Sequence, residues 1–267
     1  MIELIFWGVR GTNPVSGKAF EKIGGHTSCM SVKVNDDPTV VFDAGSGIYN
    51  LGKKITAAKE TSSYMFISHS HLDHIMGMPF FSPLWDPKCQ LNIYSHKNNA
   101  ENTIKQIIVN APVFPIKINY SSNVNFHEMP KDGIQVASAK ITGLLMNHPG
   151  GSMGYRLEAE GKSICYLTDV EHMTLSENDE LLEFIRNCDL LIFDSCYTEH
   201  EYTTRVGWGH STHIQSAKIA KLANVKKLAL FHQDPNHTDE MSDQIEKEAK
   251  EIFPGAFAAC EGMKLTF

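Results

Sequence analysis

Three histidines and a carboxylate fall within six residues in the stretch Ser68-His69-Ser70-His71-Leu72-Asp73-His74. They follow directly on the apolar run Tyr64-Met65-Phe66-Ile67. Short, apolar and bounded by polar residues, that run reads as a buried strand, so the cluster sits where a strand ends and a loop begins. Alternate side chains of an extended segment share a face, which points His69 and His71 the same way. Asp73 and His74 break the alternation and turn toward a second point nearby. Imidazole nitrogen combined with carboxylate oxygen suits zinc, manganese or iron better than calcium or magnesium. A chance histidine-rich surface loop gives no reason for this spacing behind a buried strand.

A chain of 267 residues is large enough for one sizeable core, and a single domain spanning residues 1–267 is expected. With 42% hydrophobic and 21% charged residues it has the composition of an ordinary soluble globular protein. The net charge of -7 argues against a protein that coats nucleic acid through phosphate contacts. A small anionic substrate stays open, because metal ions supply local positive charge. The expected partners are therefore a small phosphodiester, no stable nucleic-acid complex, no membrane, and a homodimer at most. Met1 to Trp7 alternates like a strand and lacks the basic opening of a signal peptide. No apolar run approaches the length of a membrane span. Cys29, Cys89, Cys165, Cys188, Cys196 and Cys260 form no C-x-x-C pair and mostly lie in apolar strands, which favours reduced thiols in a cytoplasmic protein.

Along the chain, Ile2 to Trp7, Cys29 to Val34 and Thr39 to Phe42 read as strands joined by glycine-bearing loops. Asp43 closes the third of them beside Gly45 and Gly47, where it either supports a metal site or merely approaches the next helix. The segment Met76-Gly77-Met78-Pro79-Phe80-Phe81-Ser82-Pro83-Leu84-Trp85-Asp86-Pro87 holds three prolines and three aromatics, which rules out a long helix or central strand. It reads as core packing or as an aromatic wall beside the metals, able to stack a base. Ile104, Ile107 and Ile108 mark a short helix, and a lid insertion is expected around residues 79–130.

The second half carries strands at Ile134 to Ala139, Lys140 to Met146, Gly154 to Ala159, Ser163 to Leu167, Leu190 to Phe193 and Leu228 to Phe231. Helices are expected at about Glu177–Asn187, Thr212–Ala223 and Asp239–Ile252, the first capped by Ser176 and the second by a Thr212-x-x-Gln215 capping box. Strands come first in each half and helices later, so two sheets packed face to face between outer helix layers is the natural solution. Two ions need more ligands than the histidine cluster provides, and the chain offers three at strand ends. His148 follows Ile141–Met146, Asp169 closes Cys165-Tyr166-Leu167-Thr168, and His232 closes Leu228–Phe231. A strand end fixes the backbone of such a residue, as a ligand requires.

In that order and spacing, the H-x-H-x-D-H cluster with His148, Asp169 and His232 resembles the metallo-β-lactamase superfamily over essentially the whole chain. The resemblance implies an α/β fold, the αββα four-layer sandwich, with the metals at the edge between the sheets. It implies that His69, His71 and His148 hold one ion and that Asp73, His74 and His232 hold the other, with Asp169 bridging. Lactam-hydrolysing members usually lack the full aspartate-bridged set, which points here to the phosphodiesterase branch.

Phe193-Asp194-Ser195-Cys196 and the later Gly209-His210-Ser211-Thr212 resemble the carboxylate and G-H-S-T element of transfer-RNA 3′-processing nucleases and their small-substrate relatives. By that resemblance Asp194 orients His210, which protonates the leaving oxygen; His210, Asp194 and Asp73 are the candidate catalytic residues. A histidine beside a helix start also tends to lose basicity to the helix dipole. The nucleases carry a long Gly/Pro-rich arm between the bridging aspartate and the later carboxylate, and Val170 to Phe193 has none. The loops Gly8-Val9-Arg10-Gly11, Gly24-Gly25-His26-Thr27-Ser28-Cys29 and Phe231 to Asp239 resemble bacterial cyclic phosphodiesterases, although His26 stands where asparagine is expected. The expectation is a phosphodiesterase with two divalent ions (zinc, manganese or iron) that hydrolyses a cyclic nucleotide or similar cyclic phosphate. A nuclease of the transfer-RNA 3′-processing kind, a thioester or lactone hydrolase, and a metal sensor without turnover are the rivals. His172 and His237 are the other histidines expected nearest the site.

Overall fold

Short apolar runs bounded by turn residues become strands here, and their alternation decides which sheet face each side chain joins. The computed structural model describes residues 1–105, 123–172 and 179–267. In the first half the strands are β1 (Ile2–Gly8), β2 (Cys29–Val34), β3 (Thr39–Phe42), β4 (Ser62–Phe66), β5 (Gln90–Ser95) and β6 (Asn123–Glu128). In the second they are β7 (Ile134–Val136), β8 (Ala139–Met146), β9 (Ser152–Ala159), β10 (Lys162–Leu167), β11 (Leu190–Asp194), β12 (Leu228–Phe231) and β13 (Ala256–Ala258). The final strand, β14 (Lys264–Thr266), returns to the first sheet and pairs with β1. The two sheets run β14-β1-β2-β3-β4-β5-β6 and β13-β12-β11-β10-β9-β8-β7.

Phe6, Phe42, Phe66, Tyr155, Tyr166 and Phe231 meet between the sheets, fully buried, with neighbouring ring centroids 5.4–6.0 Å apart. Burying each such ring contributes roughly 2–3 kcal/mol, so this seam holds the sandwich together. Helix α1 (Ile48–Ala57) covers the outer face of the first sheet through Ile48, Leu51 and Ile55. Short helices α2 (Leu72–Ile75), α3 (Asn99–Thr103) and α5 (Glu199–Tyr202) follow β4, β5 and β11 in the chain. Helices α4 (Asp179–Ile185), α6 (His213–Leu222) and α7 (Asp239–Ile252) cover the second sheet's outer face. The result is the four-layer αββα sandwich. Among the described residues no helix is long and apolar enough to cross a membrane.

Thr212 caps α6 by accepting from the Gln215 N–H, and Thr238 does the same for α7 from Met241. A full reciprocal capping box joins Thr198 to Glu201 at the start of α5. The Ser176 cap expected for α4 lies outside the described residues. Within the 79–130 stretch, β5 and β6 are ordinary parallel strands of the first sheet. Ile107, Ile108 and the rest of 106–122 lie outside the described residues.

The parallel strands decide where chemistry can happen. β3, β4, β5 and β6 run parallel in one sheet, and β10, β11, β12 and β13 in the other. Ligand sites in open α/β sheets form outside the carboxyl ends of such strands. Asp43, Ile67 to His74, Asp169, Asp194 and His232 all leave strands at those ends.

Candidate metal centre

Three strand-end residues have a backbone that non-glycine residues seldom adopt. Asp43, Asp169 and His232 have φ of 58°, 55° and 60°. Each left-handed residue costs on the order of 1 kcal/mol, and such strain gathers at functional sites. Here it turns a side chain sharply off its strand toward one point.

The predicted side chains converge on two facing groups. His69, His71, His148 and Asp169 form one, with Asp169 Oδ1 3.7 Å from His69 Nε2 and 3.8 Å from His148 Nε2. Asp73, His74 and His232 form the other, where His74 Nε2 and His232 Nε2 lie 3.1 and 3.2 Å from Asp169 Oδ2. Asp73 Oδ2 is 3.2 Å from each of those two nitrogens. The two oxygens of Asp169 thus face different groups.

Hydrogen bonds behind the rings decide which nitrogen carries a lone pair inward. His74 Nδ1 lies 2.8 Å from Asp43 Oδ2, and His148 Nδ1 lies 2.8 Å from the Gly209 carbonyl. Each Nδ1 therefore donates, leaving Nε2 as an acceptor aimed into the centre. His74 Nε2 faces His232 Nε2 at 3.3 Å, and His148 Nε2 faces His71 Nδ1 at 3.2 Å. His69 Nε2 is buried without a hydrogen-bond partner. Acceptors crowded face to face repel unless a cation sits among them, so this donor set fits divalent metal.

The charges agree with that fit. Burial pushes His69 well down, and it also lowers His71 and His148, so these rings are neutral. Burial raises the Asp169 carboxyl, but His232, His74 and His69 outweigh it and hold it well below the usual range. Burial opposes a charged His74, yet Asp169, Asp73 and Asp43 drive its pKa well above normal. These carboxylates demand a positive charge at His74: a proton supplies it while Nε2 is protonated, and a divalent ion supplies it with Nε2 deprotonated as the ligand.

Asp194 and His210 stand beside the two groups. Asp194 Oδ2 lies 2.8 Å from His210 Nδ1 and accepts the Asp169 N–H at 3.0 Å. Its other oxygen accepts from the Cys196 and Ser211 N–H groups. Burial lowers the His210 pKa, but Asp194, by charge and hydrogen bond, reverses this and pushes it up to about 9. The loss of basicity expected from the helix start is outweighed because Asp194 touches the ring while α6 begins only at His213.

A cavity of about 490 Å³ opens over the centre, lined by His71, Asp73, His148, Asp169, His210 and His232. Tyr197, Arg205 and Trp208 also line it, as do Thr12, Asp234, Pro235 and Asn236. Thr12 also donates its N–H to Asp73 at 2.7 Å. Fully buried Arg10 ties the loops around it, donating to the Gly24 and His237 carbonyls.

Other expectations are corrected. The aromatic wall is not beside the metals. Phe81 is fully buried under α1, and Trp85 packs there and donates to the Pro79 carbonyl. Neither lines the cavity, and nor does Phe80. His26 faces Ser46, His172 packs on Tyr202, and His237 pairs with Glu201. Sequence reasoning missed Trp208, Arg205 and Glu171. Their one signal was the Gly-Trp-Gly run just before His210.

A four-layer sandwich whose parallel strand ends bring together histidines and carboxylates defines a metal-dependent hydrolase. The chain belongs to the family described as the beta-lactamase superfamily domain, whose model matches residues 39–233. Among its relatives, ribonuclease Z of Oceanobacillus iheyensis is 24% identical, with 97% of each chain covered. Ribonuclease Z of Picrophilus torridus is 27% identical, covering 97% of this chain and 94% of its own. Two solved structures share the fold. The metallo-beta-lactamase fold protein YhfI from Bacillus subtilis has TM-score 0.76 and 22% identity, covering 99% of this chain and 98% of its own. A diphosphatase from the PhnP family has TM-score 0.74 and 20% identity, covering 100% and 98%.

The ribonuclease names overturn the partner expectation of a small phosphodiester without nucleic acid. Net charge sums over the whole surface, whereas binding depends on the local field at a cavity, and Arg205 lines this one.

Proposed function

We propose that the chain is a two-metal phosphodiesterase of the nuclease kind, cleaving a phosphodiester near the 3′ end of an RNA. The observation that carries this reading is the His210–Asp194 pair: Asp194 is fully buried 2.8 Å behind His210 Nδ1, and His210 lines the same cavity as members of both candidate ligand groups. A thioester hydrolase has less use for a dedicated proton donor, because a thiolate leaves without one. Departure of a ribose alkoxide from phosphorus at neutral pH needs one.

His69, His71 and His148 with one Asp169 oxygen would hold one ion, and Asp73, His74 and His232 with the other oxygen would hold its neighbour. Divalent ions, when bound, supply charge to the phosphoryl oxygens and lower the pKa of water. His210 keeps a proton because Asp194 faces its Nδ1, which leaves Nε2 to give that proton toward the cavity. Nearby cations pull the raised pKa back toward neutrality, where proton transfer is most efficient. Asp194 is fixed by three backbone N–H groups, so the imidazole it orients has little freedom.

The test is His210→Ala on two substrates. Cleavage of an oligoribonucleotide should fall roughly 10²–10⁴-fold, and hydrolysis of bis-p-nitrophenyl phosphate far less, since nitrophenolate leaves without a proton. The same loss on both, or loss of metal, overturns the proton-donor role. Turnover of 2′,3′-cyclic nucleotides with none of RNA would instead make a small cyclic phosphate the substrate.

A further inference from the structure

Trp208 is 60% exposed, yet it lines the cavity that holds the metal groups and His210. One exposed hydrophobic residue is ordinary on a protein surface, so what singles out Trp208 is that it lines this cavity on a fixed backbone. Its backbone is anything but loose. Gly207 and Gly209 on either side have φ of 86° and 88°, a conformation open to glycine but strained for other residues. The buried carboxylate of Glu171 accepts the N–H of Gly207 at 2.7 Å, the N–H of Gly209 at 3.0 Å and the Tyr202 hydroxyl at 2.7 Å. The Gly209 carbonyl then meets His148 Nδ1, so the loop that presents Trp208 also orients a candidate ligand.

A cation comes from the same turn, in which the Trp208 N–H donates to the Arg205 carbonyl at 3.1 Å. The Arg205 side chain, partly buried, has its guanidinium 4.8 Å from the Tyr197 ring centroid and lines the same cavity as Trp208. A rigid exposed indole and a held guanidinium in one cavity match two groups that alternate along single-stranded nucleic acid. Flat bases stack on aromatic faces, and phosphates pair with arginine. A saturated acyl chain or a sugar alone has no π face for the indole.

We propose that Trp208 is the stacking platform for a nucleobase next to the scissile phosphate, with Arg205 holding the adjoining phosphate. This rests on the reading of the site as a phosphodiesterase acting on RNA and names how that substrate is seated. Specificity then comes from any unstacked base, because every base offers a π face. The Glu171 loop is a positioning element that keeps platform, acid and ligand in one register.

Equilibrium titration of the metal-loaded enzyme with adenosine 5′-monophosphate and with ribose 5-phosphate tests it. The ligands carry the same phosphate and differ in the base. Adenosine monophosphate should bind roughly 5- to 150-fold tighter, the span expected for one stacked base, and should quench indole fluorescence. Trp208→Ala should abolish that preference while moving ribose 5-phosphate less than about twofold, and Trp208→Phe should keep much of it. Arg205→Ala should weaken both ligands together. Equal affinities in the wild type, or a Trp208→Ala variant that weakens both ligands alike, overturns the platform. Failure of the phosphodiesterase reading shows separately, as no wild-type hydrolysis of oligoribonucleotide or bis-p-nitrophenyl phosphate whatever the binding result. Because the side chain is exposed, an unchanged melting temperature in Trp208→Ala excludes misfolding.

Discussion

The Asp43 carboxylate lies 2.8 Å from Nδ1 of His74, and both side chains are fully buried. The same carboxylate accepts the Ser68 N–H at 2.7 Å, and the Ser68 and Tyr166 hydroxyls at 2.8 Å. It locks the tautomer of His74 and braces the start of the histidine cluster. Asp43→Asn keeps the shape and tolerates the left-handed backbone, but it weakens the grip on Nδ1–H. Affinity for one of the two ions should fall about 10- to 100-fold, as is usual when a partner behind a metal-bound histidine is removed. Wild-type metal affinity at both sites would show that Asp43 only shapes the loop.

Close approach can be separated from backbone strain with two glycines. A Cβ at Gly209 would come 2.2 Å from His148 Nδ1 and 2.4 Å from Pro149 Cδ. Gly150 has a similar φ of 83° but nothing within 4 Å of that position. Both alanine variants carry about 1 kcal/mol of left-handed strain. Only Gly209→Ala also displaces His148, so its kcat should fall roughly tenfold or more while Gly150→Ala stays within about threefold. Equal losses would mean that the Gly209 loop does not position the centre.

The strand-end residues were legible in the sequence for a physical reason. One histidine or aspartate closing a buried apolar run is more often a satisfied polar group, but three of them, His148, Asp169 and His232, in a chain that also carries the cluster at Ser68–His74 point to a shared site. Asp43 was undecided, because sequence does not say which ring a carboxylate will meet. The segment from Phe80 to Trp85 misled because aromatic residues near a site read the same whether they face it or the back of the sheet. Trp208 is a lone residue outside any periodic pattern, and Glu171 acts through backbone N–H groups that leave no trace in residue type. β14 was not foreseen, since a three-residue strand matters only through its pairing with β1.

Glu201 supports the wall of the cavity in a pH-dependent way. It accepts from the Thr198 N–H and hydroxyl and lies 3.0 Å from His237 Nε2. Burial raises its pKa, but the Thr198 N–H and His237 outweigh this and lower it from the ordinary 4.5. A depressed carboxyl contributes stability above its unfolded pKa and loses it as pH falls through the folded value. Glu201→Gln should therefore cost about 1 kcal/mol near neutrality, a melting shift of about 2–4 °C. The gap to wild type should close as pH drops below about 4.5, and metal loss at low pH cancels because both chains share it. A gap that does not change with pH would assign the loss to packing.

Asp169 decides whether the two metal groups are one centre. Its Oδ1 faces His69 and His148 while its Oδ2 faces His74 and His232. His71 belongs to one group alone, and Asp73 to the other. Wild-type protein purified without chelator should carry about two equivalents of divalent metal. His71→Ala should lose about one of them, because it removes a donor from a single group. Asp169→Asn keeps the volume but removes the negative charge shared by both groups, so both affinities should fall and phosphodiester hydrolysis with them. Competitive chelator titration reads the two sites separately from activity. If Asp169→Asn binds both ions as tightly as wild type, or loses only the ion that His71→Ala loses, the carboxylate does not bridge and the groups are independent sites.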